Sequence, residues 1–158
     1  MLLEWDEITK ITSNFSEIAQ VNLLSGKMGS LRGFHGSDES ANHWKIVTCV
    51  HGTVRDVALD LRTSSATFGK YSYIDLNEET SKSLIIPPGF AHAVQSLSEN
   101  SLTIYATNIP YSKSVEFEIY PKSEEFSPLW NLVPILSDRD NQAEKFNEFS
   151  SRIMKRVF

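Results

Sequence analysis

From about Ile18 to Tyr120 the chain is a succession of short runs rich in Val, Ile, Thr, Tyr and Phe, each closed by Gly, Ser, Asn or Pro after roughly ten residues. That rhythm is the signature of an antiparallel sandwich or barrel, with one strand per run and one turn per break. Strands are expected at Ala19 to Leu24, Gly29 to Phe34, Trp44 to Val50, Val54 to Leu61, Lys70 to Leu76, Lys82 to Ile86, His92 to Leu97, Leu102 to Thr107 and Val115 to Tyr120. Turns are expected at Ser25-Gly26, His51-Gly52, Asn77-Glu78 and Glu99-Asn100, where a Gly or Asn tolerates tight or left-handed backbone. The pattern predicts an all-β fold with its barrel over about residues 18–121.

Strand alternation sorts side chains by face. Lys45 shares a face with Val47 and Cys49, so it is expected to point into the barrel. Tyr105 aligns with Thr103 and Thr107, while Leu102, Ile104 and Ala106 form an apolar face. Strict alternation sends Arg32 and His35 to opposite faces, and a bulge at Gly33 would re-aim one of them. After Pro134 the pattern changes. Ser137-Asp138-Arg139-Asp140-Asn141-Gln142-Ala143-Glu144 reads as a helix start, and Phe146, Phe149, Ile153 and Val157 recur at helical spacing. A C-terminal helix over about 138–157 is expected to pack on the barrel or on a second subunit.

With 158 residues and 41% hydrophobic composition, the chain is expected to form a single domain over 1–158. A net charge of −5 argues against nucleic acid as a partner. No apolar stretch reaches 18 residues, and the N-terminus carries acids where a signal peptide needs a basic region, so no membrane association is expected. The single cysteine, Cys49, fits a reducing, cytoplasmic location.

Chemistry concentrates in a few motifs. Leu31-Arg32-Gly33-Phe34-His35 is followed after ten residues by Lys45, then by Asp56-Val57-Ala58-Leu59-Asp60-Leu61-Arg62 and Thr67-Phe68-Gly69. Ile86-Pro87-Pro88-Gly89-Phe90-Ala91-His92 adds a second histidine, with Tyr105 thirteen residues on. Histidines, a phenol and cations are the tools of proton transfer beside an anionic substrate.

Together these motifs resemble the dTDP-4-dehydrorhamnose 3,5-epimerase family over about Gln20 to Tyr111, in order and with little or no gap. The resemblance implies a cupin-type antiparallel β-barrel (jelly roll) with a C-terminal helix, a homodimer, a nucleotide-sugar substrate and no cofactor or metal. It further implies inversion of carbons flanking a 4-keto group. His35 matches the catalytic base, Tyr105 the proton donor, and Asp140, rather than Asp138, the acid that orients the base. Lys45, Arg32 and His92 resemble residues around the sugar and diphosphate, Lys45 also as an enolate stabiliser. Gln20 and Asn22 match a nucleotide-binding run, Tyr111 a stacking ring, and Glu116 and Arg139 further substrate contacts. The family's N-terminal acidic-Arg-Gly-aromatic motif is not found in Met1 to Glu17.

The ordinary explanations are set beside these. A lone histidine is more often structural, Tyr105 alone reads as a half-buried strand tyrosine, and Asp140 is placed as a helix cap would be. Arg62 is expected to close a strand end. His43 and His51 lack the spacing partners of a metal-binding cupin. Two other functions stay open: a non-catalytic nucleotide-sugar-binding cupin, and a sugar ketoisomerase.

Overall fold

The computed structural model describes residues 17–111 and 116–155. In chain order the strands are β1 Gln20–Lys27, β2 Ser30–Gly36, β3 Lys45–His51, β4 Thr53–Asp60, β5 Tyr71–Asn77, β6 Ser83–Ile86, β7 Phe90–Ser96, β8 Asn100–Thr107, β9 Phe117–Glu118 and β10 Ile135–Leu136. Two short helices follow, α1 Asp138–Asn141 and α2 Phe146–Met154. The strands form two sheets, ordered β1-β8-β3-β6 and β10-β2-β7-β4-β5, with β9 also paired to β2. The first eight strands pair antiparallel, as the alternating sequence requires, whereas β10 runs parallel to β2.

Two apolar layers explain this arrangement. Between the sheets, Val47, Cys49, Val54, Leu76 and Ile86 form a small core, flanked by Val94 and Tyr105. A larger core lies on the far side of the second sheet. There Leu31, Phe34, Val57, Leu59, Ala93 and Ile119 meet Phe126, Leu129, Phe149 and Ile153 of the C-terminal segment. Fully burying one such Phe or Leu contributes about 1.5–3 kcal/mol, so the C-terminal segment is an integral third layer. Because the inner core is small, the space between the sheets retains room for polar side chains and cavities.

Several expectations are corrected. The first hairpin turns at Met28-Gly29, not at Ser25-Gly26, and Gly29 carries the positive φ of +83°. Gly26 is instead needed for space inside β1, where a Cβ would come within 1.9 Å of Ser96 Oγ. The terminal helix is split, because Glu144 leaves helical geometry to bridge Ile119. Its apolar stripe survives in α2 as Phe146, Phe149 and Ile153. The ninth strand is shorter than expected, and the parallel strand β10 has no alternation long enough to announce it. Val115, Val157 and Met1 to Ser16 lie outside the described residues. Among the described residues no helix is long and apolar enough to cross a membrane.

Candidate active site

The site begins with an irregularity in β2. Arg32 lies opposite Val94 and His35 opposite His92, with a register shift between them. Val94 and His92 are two residues apart on β7 and share a face, so Arg32 and His35 share that face too. Gly33 absorbs the extra residue at φ +110°, and a Cβ there would stand 2.4 Å from the His92 carbonyl oxygen, so only glycine fits. Phe34 is turned to the opposite side, against Phe126 and Trp130.

His35 meets Asp140 across this bulge, with Nε2 2.7 Å from Oδ1. Asp140 is 2% exposed and also accepts from the Gly33 amide (3.3 Å) and the Ser137 hydroxyl (2.6 Å). Burial works against its charge, yet the hydrogen bonds from His35 and Ser137 hold the carboxyl below its ordinary value. The N-cap of α1 is Ser137, whose Oγ accepts from the Asp140 amide, so the cap reading of Asp140 is overturned. An ionised carboxylate only accepts. The His35 proton therefore sits on Nε2, leaving the Nδ1 lone pair as the basic atom.

A second histidine–carboxylate pair lies alongside. His92 Nδ1 donates to Asp56 Oδ1 at 3.3 Å, and Asp56 is fully buried on β4. Burial lowers the His92 pKa and outweighs the opposing pull of Asp56.

The facing sheet supplies Tyr105 and Lys45. Burial, reinforced by the nearby Glu116 charge, raises the Tyr105 pKa, so its phenol keeps its proton at neutral pH. Lys45 points inward and is buried, as alternation predicts. Its Nζ lies 2.9 Å from Glu116 Oε1 and 3.5 Å from the His35 carbonyl oxygen. Burial opposes the Glu116 charge, but Lys45 holds that carboxyl below its usual range. Arg139 joins the acids, with Nη2 2.6 Å from Glu118 and 3.5 Å from Glu116. Arg32 is exposed and makes no ion pair among the described residues.

Two cavities meet at Tyr105. One lies between the sheets and is lined by Arg32, His92 and Tyr105 with the apolar Leu24, Val47 and Val94. The other is bordered by Gln20, Asn22, Lys45, Tyr105, Tyr111 and Glu116. Gln20 Nε2 donates to Asn22 Oδ1 at 2.7 Å while its Oε1 accepts from the Tyr111 amide at 2.8 Å. The Arg139 guanidinium lies 5.9 Å from the Tyr111 ring centroid.

Sequence reasoning missed Asp56, Glu118 and His43 as members of this region. His43 lacks the spacing partners of a metal ligand, but it stands two residues before Lys45, where alternation puts both on one face. Arg62 does close a strand end, donating to the buried Asp60 carboxylate. Among the described residues no three His, Cys, Asp or Glu side chains converge in a metal-holding group.

Comparison with known proteins gives this arrangement its context. Residues 4–148 match the family model described as dTDP-4-dehydrorhamnose 3,5-epimerase. The protein of that name from Shigella flexneri is 40% identical over 131 residues, covering 82% of this chain and 72% of its own. The crystal structure of the Elizabethkingia anophelis NUHP1 dTDP-4-dehydrorhamnose 3,5-epimerase aligns with a TM-score of 0.83 at 31% identity, covering 92% of this chain and 81% of that one. A dTDP-6-deoxy-D-glucose-3,5-epimerase from Legionella pneumophila Philadelphia 1, solved with dTDP-4-keto-L-rhamnose, aligns with a TM-score of 0.84 at 27% identity, over 96% and 81% of the two chains. A match running from the N-terminal strands through α1, which carries Asp140, extends over the whole constellation just described, and the chain belongs to the dTDP-4-dehydrorhamnose 3,5-epimerase family.

Proposed function

We propose that this chain is an isomerase that epimerises a dTDP-linked 4-keto-6-deoxyhexose at carbon 3, carbon 5 or both. The observation that carries the reading is the placement of an Asp140-bound His35 on one sheet and a half-buried, protonated Tyr105 on the other. His35 Nδ1 takes the proton from a carbon beside the ketone, and Asp140 stabilises the imidazolium that results. Negative charge moves to the former ketone oxygen. Lys45 faces it with an N–H beyond those engaged by Glu116 and the His35 carbonyl, and His92 adds a second polar contact. Tyr105 returns a proton from the opposite face, inverting the carbon; the cycle closes when His35 Nδ1 gives its proton to solvent and the Tyr105 phenolate regains one. Each well-placed acid or base of this kind contributes about 10²- to 10⁴-fold in rate.

Binding follows from the same surroundings. Arg32, which has no acidic partner among the described residues, meets the diphosphate. Gln20, Asn22 and Tyr111 hold the nucleoside, and Glu116 and Arg139 frame the sugar. The chain works as one domain over 1–158 and as a cytoplasmic homodimer. The dimer is supported by the outward face of β1-β8-β3-β6, where Val21 and Leu23 are 60% and 64% exposed beside Leu102, Ile104 and Ala106.

The test is proton NMR with dTDP-4-keto-6-deoxyglucose in heavy water. Deuterium entry with inversion at one or both flanking carbons is the expected result, and saturable binding without exchange would overturn the catalytic reading.

A further inference from the structure

We propose that His43 is a substrate-positioning residue whose imidazole Nε2, together with Asn22 Nδ2, takes an uncharged hydrogen-bonding edge of the bound nucleotide-sugar. The inference rests on the reading of this site as a nucleotide-sugar site. His43 is 6% exposed, and its Nε2 is buried with no hydrogen-bond partner among the described residues. Asn22 Nδ2 is in the same condition, and both residues line the cavity beside Lys45 and Glu116. Leaving a buried polar atom without a partner is costly, so a purely structural histidine would be expected to have found one.

Neither orphan is a loosely held group. Asn108 grips the chain around His43, accepting from the Trp44 amide at 2.8 Å and donating to the Asn42 carbonyl at 2.8 Å. The Asn22 amide is fixed by the relay from the Tyr111 amide through Gln20 to Asn22 Oδ1, which leaves Nδ2 as its spare donor. The occupant must offer an acceptor to Asn22 and a hydrogen-bonding atom to His43. Burial and the Lys45 charge push the His43 pKa down to about 4, so the ring is neutral and offers the diphosphate no charge of its own. The shared chemistry is a carbonyl beside an N–H, as on a pyrimidine base, or neighbouring sugar hydroxyls.

His43→Phe is expected to raise KM for the 4-keto substrate by about 5- to 100-fold, with kcat changed less than about threefold, and His43→Gln to recover most of the loss. Asn22→Leu is expected to behave similarly, and the double variant to lose less than the product of the two single effects. Calorimetry with dTDP alone separates the sources. A weakened dTDP Kd in His43→Phe assigns the edge to the base, whereas an unchanged Kd with a raised KM assigns it to the sugar. A folded His43→Phe protein with wild-type KM and Kd would overturn the inference, as would a loss confined to kcat that Gln does not rescue. Wild-type protein that binds dTDP without turning over the sugar would sink the epimerase reading alone, provided His43→Phe still weakens dTDP. Unaltered dTDP binding in that case, or no binding by the wild type at all, would sink both.

Discussion

Asp140 occupies one ring nitrogen of His35 across the bulge in β2, and the base role proposed for the other nitrogen has a direct test. Removing the ring should therefore remove proton abstraction outright. His35→Ala is expected to cut deuterium incorporation by at least about 10²-fold at every exchanging carbon while its circular dichroism stays that of the wild type; ordinary exchange in that folded variant would refute the assignment. Tyr105→Phe separates the two half-reactions. With the base intact and the opposed acid gone, exchange without inversion is expected to persist, so substrate should gain deuterium while product formation collapses. Equal loss of both would show that Tyr105 acts before or during abstraction. That His35 and Tyr105 belong to one region was legible because each stands in a spaced motif. The pairing of Asp56 carries no such signal, since nothing along the chain says that β4 lies beside β7 and brings a buried carboxylate to His92.

At the scale of elements, the loop after β4 fixes where the second sheet ends. Asp60, 2% exposed, accepts from the Arg62 backbone and guanidinium, Ser65 and Thr67. Burial opposes its charge, yet those hydrogen bonds hold the carboxyl far below its ordinary value. Asp60→Ala strands all of these donors and is expected to cost about 2–4 kcal/mol, lowering Tm by roughly 5–15 °C in differential scanning calorimetry; an unchanged Tm would show that water replaces the carboxylate without loss. The same loop carries Thr67-Phe68-Gly69, and Phe68 stacks on Phe146 of α2 at 6.2 Å. A motif read for its family resemblance is thus also a dock for the C-terminal layer. The strands themselves were legible, because alternation and Gly or Asn punctuation are local signals. The hairpin at Met28-Gly29, the strand β10 and the split between α1 and α2 were not. Gly26 has the composition of a turn but answers to Ser96 across the barrel, and Glu144 leaves the helix to meet Ile119. Both causes lie far away in sequence.

At the scale of the molecule, the apolar outer face of β1-β8-β3-β6 and the buried histidines make separate demands. If that face joins two copies, Val21→Lys with Leu23→Lys should move the protein from dimer to monomer mass in light scattering, and a wild type already monomeric at micromolar concentration would sink the dimer. The histidines set the acid limit of stability. His43, with its pKa pushed down to about 4 by burial and by Lys45, and His92, lowered chiefly by burial, are both neutral in the native state. In the unfolded chain each binds a proton below an ordinary value near 6.5. Between about pH 6.5 and 4 the unfolded state therefore holds more protons than the native one, and stability must fall as pH falls, by up to about 1.4 kcal/mol per pH unit for each such histidine. Asp140 and Glu116 act in the same direction but later, because carboxyls held below their ordinary value lose their contribution only as pH drops through the carboxylate range. Melting temperature is thus expected to be level above pH 7, to decline from about pH 6.5, and to steepen below pH 4. His43→Gln should flatten the first part of that decline without moving the second, because glutamine cannot titrate and the carboxylates remain. A melting temperature constant from pH 7 to pH 5 would mean that neither imidazole is held neutral by its burial.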